Sequence, residues 1–180
     1  MPEESEISSE SNPKCYMDIT IGGMPVGRIV FECYVSICPR TVENFRALCT
    51  GERSSVVTGN RLHYKNSTIH AAYTDWALVG GDIVNRNGTS GESIYGPYFK
   101  DENYTLNHDR PGVVSMMSFK NGTNNSQFVI SVRPAPSLDG QNVGFAQIIT
   151  GMEVVDRILS HGNDYGELDA EIVIADCGEL

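Results

Sequence analysis

Short segments with β-type alternation, separated by glycine, proline or asparagine, recur along nearly the whole chain. Residues 15–21, CYMDITI, alternate apolar and polar side chains, which predicts a strand with one buried face. The turn residues GGMP follow, and the segment VGRIVFECY at 26–34 then completes a predicted β-hairpin. Further strands are expected at 68–73, 76–83, 113–118, 127–132, 142–149 and in the segment EIVIADCG at 171–178.

Two stretches instead carry the spacing of an amphipathic helix. In PRTVENFRALC, Pro39 suits a first helical turn, and apolar residues recur every three or four positions from Val42 to Cys49. In GMEVVDRILS, at 151–160, the apolar residues again share one face. Many short strands with two helices predict a mostly β fold, in which a closed or nearly closed sheet has its open ends covered by helices.

Length and charge limit the classes of function. The 180 residues suit a single domain, and the formal net charge of -10 disfavours nucleic acid while leaving basic peptides as candidate partners. No apolar run approaches the roughly 18 to 20 residues that a membrane helix needs. Residues 1–12 are rich in glutamate and serine, so we expect a disordered acidic tail there and one domain over 13–180.

The cysteines and histidines do not suggest a metal site. The five cysteines include no CxxC pair, which indicates reduced thiols rather than zinc ligands. His63 and His161 stand alone, without a second histidine or a carboxylate at ligand spacing. We therefore predict that the protein binds no metal.

Three long stretches resemble the cyclophilin family of peptidyl-prolyl cis-trans isomerases. They are GGMPVGRIVFECY with CPRTVENFRALCTGE, GGDIVNRNGTSGESIYGPYFKDENY, and LDGQNVGFAQIITGMEVVDRI. The resemblance extends from residue 12 to residue 180. It implies an eight-stranded antiparallel β-barrel capped by two α-helices, in agreement with the pattern of strands and helices.

The family's reaction rotates the bond before a proline. Breaking amide resonance meets a barrier of about 18–20 kcal/mol, but no bond is made or cut, so no cofactor is expected. A catalyst instead needs an apolar socket for the ring, fixed polar groups and a cation that favours the twisted imide. In the family an arginine follows a histidine. Here the matching stretch is IHAAYTDWALVGGD, in which His70 matches the histidine and Ala71 stands at the arginine position.

Most other groove positions also lack the residue that the family carries there. The replacements, with the family's residue in parentheses, are Trp76 (phenylalanine), Ala77 (methionine), Val79 (glutamine), Val129 (phenylalanine), Ser137 (tryptophan) and Asn142 (histidine). Gly88, Gln127 and Leu138 are kept. Ser118 and Phe119 occupy the backbone-binding segment, and the large Phe119 is expected to block the groove.

The role of Trp76 has two interpretations. With Tyr73 and Phe119 it could form an aromatic surface that binds a partner. It could equally fill the space left by the small residues Ala77 and Ser137. The sequence does not decide between these two interpretations.

The long polar loop at 50–66 resembles that of the divergent-loop branch of the family. In that branch a glutamate ties the loop, and the matching residue here is Glu92. Two cysteines that are discussed there as a redox pair correspond to Cys49 and Cys177. A packed loop with two inert thiols is the other interpretation.

These features predict a cyclophilin-like scaffold that binds a protein or peptide and is catalytically inactive or strongly impaired. The alternative is a weak or specialised isomerase that assists protein folding, in which Arg61 or Lys65 supplies the missing cation. Cyclosporin-type drugs use residues that are absent here, so we expect no drug binding. We also expect a monomeric domain located in the cytoplasm or nucleus.

Overall fold

The computed structural model describes residues 7–180. Its strands are β1 (Lys14–Ile21), β2 (Met24–Cys33), β3 (Arg53–Ser54), β4 (Arg61–Leu62), β5 (Thr68–Tyr73), β6 (Ala77–Gly80), β7 (Phe99–Lys100), β8 (Val113–Met116), β9 (Thr123–Asn124), β10 (Phe128–Ser131), β11 (Gly144–Thr150) and β12 (Ile172–Glu179). Eight of these strands close an antiparallel barrel in the order β1-β12-β5-β6-β10-β8-β11-β2. The predicted barrel is confirmed, and β3-β4 and β7-β9 form separate two-stranded sheets.

Two helices cover the barrel: α1 (Pro39–Thr50) and α2 (Met152–Leu159). Pro39 begins α1, and Gly51 ends it in the left-handed conformation with a φ of 71°. Gly151 precedes α2 at a φ of 98°, where a side chain would overlap the backbone of β2. No helix within the described residues is long and apolar enough to cross a membrane.

The core is centred on the ring of Phe45, which α1 places against the barrel. This ring is fully buried and lies 5.0–5.9 Å from the rings of four other aromatic residues. Those residues are Phe31, Tyr64, Phe128 and Phe145. The cluster joins α1 to β2, β10 and β11, so it fixes the helix on the barrel and leaves the outer face of β5, β6 and β10 free for a site.

The predicted tail at 1–12 lies partly outside the described residues, which begin at residue 7. Within residues 7–12, Ile7 and Asn12 are buried against the barrel, whereas residues 8–11 are exposed. Ile7 is 4% exposed and contacts a small apolar cluster that includes Tyr34. The carboxylate of Glu32 accepts hydrogen bonds from Ser8 and from the side chain of Asn12. One isoleucine and a buried acceptor on β2 hold this segment, and polar composition alone does not reveal either of them.

Candidate functional site

The register of β5, β6 and β10 builds the floor of the candidate site. Ala71 pairs with Val79, and Val79 pairs with Val129, so these three side chains share one outward face. A bulge between Ile69 and Ala71 shifts this register. Because of the bulge, Ile69 and Ala72 both point into the core while Ala71 points outward. The position of the expected cation therefore does lie on the groove, but it carries only a methyl group.

A pocket of about 240 Å³ opens above this floor. Its lining comes from four separate parts of the chain: Tyr73, Trp76, Val79, Met117, Ser118, Val129, Leu138 and Asn142. The polar side chains of this lining are few, and the Nδ2 of Asn142 is occupied because it donates to the carbonyl oxygen of Met116 at 3.0 Å. We call this cavity the apolar pocket. It offers space and apolar surface, but few polar groups that could orient a substrate.

Ala77 and Ser137 do not line the apolar pocket. Ala77 is fully buried within the floor cluster of Ala71, Val79 and Val129. Ser137 is exposed in a short 3₁₀ helix, Pro136–Leu138, which contributes Leu138 to the lining instead.

Trp76 stands at the rim of the apolar pocket rather than filling a void. Its ring is 5.1 Å from that of Tyr73 in an edge-to-face arrangement, and the residue remains 38% exposed. Its backbone is fixed because its amide donates to Tyr73 and its carbonyl oxygen accepts from Val132. An ordered, partly exposed tryptophan favours the aromatic-surface interpretation.

No cation lines the apolar pocket among the residues that the structure describes. Arg133 lies beside the turn that carries Trp76, and Asp75 binds it through two contacts of 2.6 and 3.0 Å. Arg61 donates to the carbonyl oxygen of Gly51 at 2.6 Å, and Lys65 lies 3.7 Å from Asp176. Arg61 and Lys65 are therefore engaged elsewhere, and neither lines the apolar pocket.

Phe119 lines a neighbouring pocket instead of the apolar pocket. Its ring lies 5.7 Å from that of Tyr98, and with Lys120 and Asn121 these residues line a cavity of about 480 Å³. The segment 117–120 separates this cavity from the apolar pocket. Sequence reasoning missed Tyr98, because only the pairing of β7 with β9 brings it next to Phe119.

Gln127 is retained from the family pattern, but its amide faces inward. Nε2 donates to the carbonyl oxygens of Gly88 and Ser90 at 3.0 and 2.6 Å. Gly88 has a φ of 89°, and a side chain there would collide with the ring of His70. Burial lowers the pKa of His70, and Asp82 opposes this effect. Gln127 and Gly88 thus position the loop beside the groove, and Gln127 Nε2 is not free to donate to a ligand.

Glu92 contacts the long loop through a hydrogen bond with Ser55. The hydroxyl of Ser55 donates to the Glu92 carboxylate. The Oγ of Ser55 also accepts hydrogen bonds from the amides of Val57 and Thr58. The loop tip is apolar, since Val56 and Val57 are 73% and 66% exposed. The tether thus fixes the loop base and leaves two valines in solvent.

Cys49 and Cys177 are both buried and free. Burial raises the pKa of Cys49 and raises that of Cys177 to about 12. The thiolate is the reactive form, so both residues are held in the unreactive state. This arrangement favours the interpretation of inert thiols.

We expect none of the five cysteines to react with a thiol reagent at neutral pH while the protein is folded, because all five are buried. Addition of denaturant should expose five equivalents. The absorbance of the aromatic thiol that the reagent releases would measure the number of reactive cysteines in the folded and in the denatured protein. A fast reaction of two equivalents in the native state, or a Cys49–Cys177 disulfide after mild peroxide, would contradict this prediction.

One comparison with known proteins bears on this fold and groove. A family model described as cyclophilin type peptidyl-prolyl cis-trans isomerase/CLD matches residues 16–179. The match covers both helices and all of the barrel except Lys14 and Cys15 at the start of β1.

Proposed function

We propose that this chain, which belongs to the cyclophilin-type peptidyl-prolyl cis-trans isomerase family, uses its groove to bind a protein segment and does not rotate prolyl bonds efficiently. The observation that carries the proposal is Ala71. It lies on the groove face, 8% exposed, with aliphatic neighbours where the reaction needs a positive charge.

The reaction has an electrostatic requirement that an alanine at position 71 does not meet. As the imide twists, its nitrogen becomes pyramidal and gains electron density, so a fixed cation stabilises the transition state more than the ground state. Such stabilisation is effective only when the charge is held in place before the reaction. The guanidinium of Arg133 is held by Asp75, and it does not line the apolar pocket.

The shape of the apolar pocket supports the same conclusion. Val129 is a short aliphatic side chain where the family's phenylalanine would contact a proline ring, and Val79 stands where the family has a glutamine that binds the substrate backbone. Fewer polar groups remain to bind the backbone that would flank the proline, because the Gln127 amide donates to carbonyl groups of the loop instead. A bound segment would gain hydrophobic contact without being forced towards a twisted imide.

The aromatic rim of the apolar pocket supports the proposal that the groove binds a partner. Trp76 and Tyr73 form a rigid aromatic pair next to an open apolar cavity, which is the type of surface that carries binding energy in protein interfaces. We infer that the domain is a monomeric scaffold of the cytoplasm or nucleus. Its tethered loop, held by Glu92, supports a place in the divergent-loop branch.

A weak or specialised isomerase is the second candidate function. The intact barrel and the open apolar pocket favour it, since a proline ring would find space of about 240 Å³. The two functions differ in the rate that the isolated domain produces.

A protease-coupled assay with a proline peptide tests the proposal. We expect the domain at micromolar concentration to change the rate of isomerisation by no more than a few-fold over buffer, because the missing cation and socket both act on the barrier. An unrelated cyclophilin with an intact site serves as the positive control. An enhancement above about a hundredfold would support the isomerase instead.

A further inference from the structure

The aromatic rim continues from the apolar pocket onto the segment between α2 and β12. The amide of Ala72 donates to Gly166 at 3.1 Å and that of Thr74 donates to Asn163 at 3.1 Å. Gly166, at a φ of 81°, lies directly under the ring of Tyr73. This places the backbone of the turn that carries Tyr165 beside Tyr73, and the side chain of Tyr165 is 82% exposed.

The same segment carries a concentrated negative charge. Residues 160–171, which we call the acidic loop, contain four carboxylates and no lysine or arginine. Those carboxylates are Asp164, Glu167, Asp169 and Glu171. Asp169 is bound by the ring of His161 at 2.6 Å. Asp164 and Glu167 are exposed, and within the described part of the chain neither forms a salt bridge, although they flank Tyr165.

The acidic loop is held in place before any partner arrives. The side-chain oxygen of Asn163 accepts from the amides of Tyr165 and Glu167 at 2.9 and 3.0 Å. Contact of Gly166 with Tyr73 then fixes this turn on the edge of β5. A preformed turn loses little conformational entropy when a ligand binds, so ordering the loop subtracts little from the attraction between its carboxylates and a cation.

We propose that the occupant of this surface is a positively charged, extended peptide segment of a partner protein. One apolar side chain of the segment enters the apolar pocket beside Trp76. A lysine or arginine nearby lies over the rings of Tyr73 and Tyr165 and faces Asp164 and Glu167. This inference rests on the proposed function, because it names the partner chemistry of the same groove.

Two physical effects favour a cation at this position. Aromatic faces attract ammonium and guanidinium groups, most strongly when these are partly removed from water. Exposed carboxylates add attraction that is long-ranged at low salt and screened at high salt. Arg133, which lies beside the turn that carries Trp76, is paired with Asp75 at 2.6 Å, so its charge does not cancel this field.

The emission of Trp76, the one tryptophan of the chain, reports directly on the rim. Two ten-residue peptides serve as probes: one alternates leucine with lysine, and the other alternates leucine with glutamate. We expect the lysine peptide to bind at least about tenfold more tightly, in line with two favourable charged contacts. We expect this difference to shrink as salt rises from low to high concentration.

Charge reversal separates the acidic loop from the overall charge of the protein. The double variant Asp164→Lys, Glu167→Lys is expected to lose the preference for the lysine peptide. The control Glu153→Lys, Asp156→Lys makes the same change in net charge on the exposed face of α2 and should keep it. Thermal unfolding of both variants checks that each is folded, which is expected because all four positions are exposed.

The outcomes distinguish this inference from the function on which it rests. Equal affinity for the two peptides, or equal effects of the two double variants, would overturn the charged partner but leave a binding groove. Failure of both peptides to alter Trp76 emission, together with isomerase activity, would overturn both. The Tyr165→Ala variant should weaken the lysine peptide alone, and a parallel loss for the glutamate peptide would refute the cation contact.

Discussion

Replacement of Asp82 by alanine is expected to destabilise the protein by about 2–3 kcal/mol, since it removes the buried charged acceptor that five amides of the following loop share. Asp82 is fully buried, and its carboxylate accepts hydrogen bonds of 2.9–3.2 Å from five backbone amides of the following loop. Those amides belong to Val84, Asn85, Asn87, Gly88 and Ser90. Equilibrium unfolding in urea at pH 7 would measure the loss.

The stabilisation by Asp82 should depend on pH. Burial alone would raise the pKa of this carboxyl group, but the amide hydrogen bonds outweigh burial and lower it. A lowered pKa means that the contribution is complete above the unfolded pKa of about 3.9 and is lost as pH falls through the folded value. The difference between parent and Asp82→Ala should therefore shrink below about pH 4.

The amide variant Asp82→Asn provides the matched control. It keeps one acceptor oxygen but removes the charge, so we expect a smaller loss than for alanine and little dependence on acid. A loss of less than about 1 kcal/mol for Asp82→Ala would show that the loop satisfies its amides without this residue. The loop also carries Gly88, so a change in the loop conformation of the alanine variant should disturb the hydrogen bond that Gln127 donates to the Gly88 carbonyl oxygen.

The barrel and both helices could be predicted from the sequence because their signals are local. Alternation in β1 and the stripe on α1 depend only on neighbouring positions, and the observed bounds differ from the predicted ones by a few residues. The β6 strand shows the typical error. It was expected at 76–83 but ends at Gly80, because Asp82 already holds the turn that follows.

The details of the groove were harder to predict because they depend on distant contacts. The bulge before Ala71 and the meeting of Tyr98 with Phe119 follow from strand pairing, which no single segment encodes. The contacts of the Gln127 amide depend on two carbonyl groups of another loop. Identity at a family position thus does not reveal which groups the side chain contacts.

Restoring catalysis is expected to require the cation and the socket together. The single variant Ala71→Arg should stay within a few-fold of the parent in the protease-coupled assay, because a guanidinium cannot act on a ring that is not held. Ala71 lies next to Val79 and Val129, which carry neither the glutamine nor the phenylalanine that the family has at these two positions. The single variant therefore measures the cation alone.

The combined variant should raise the rate by about a hundredfold or more over the parent. It carries the family's residue at all seven altered positions: Ala71→Arg, Trp76→Phe, Ala77→Met, Val79→Gln, Val129→Phe, Ser137→Trp and Asn142→His. The same set without Ala71→Arg is the matched control and should remain near the parent, since a socket that lacks the charge lowers the barrier little. Circular dichroism and thermal unfolding would verify that the barrel is retained. Robust turnover by Ala71→Arg alone would show that the present pocket already holds proline, and the groove would then have lost its charge but not its substrate.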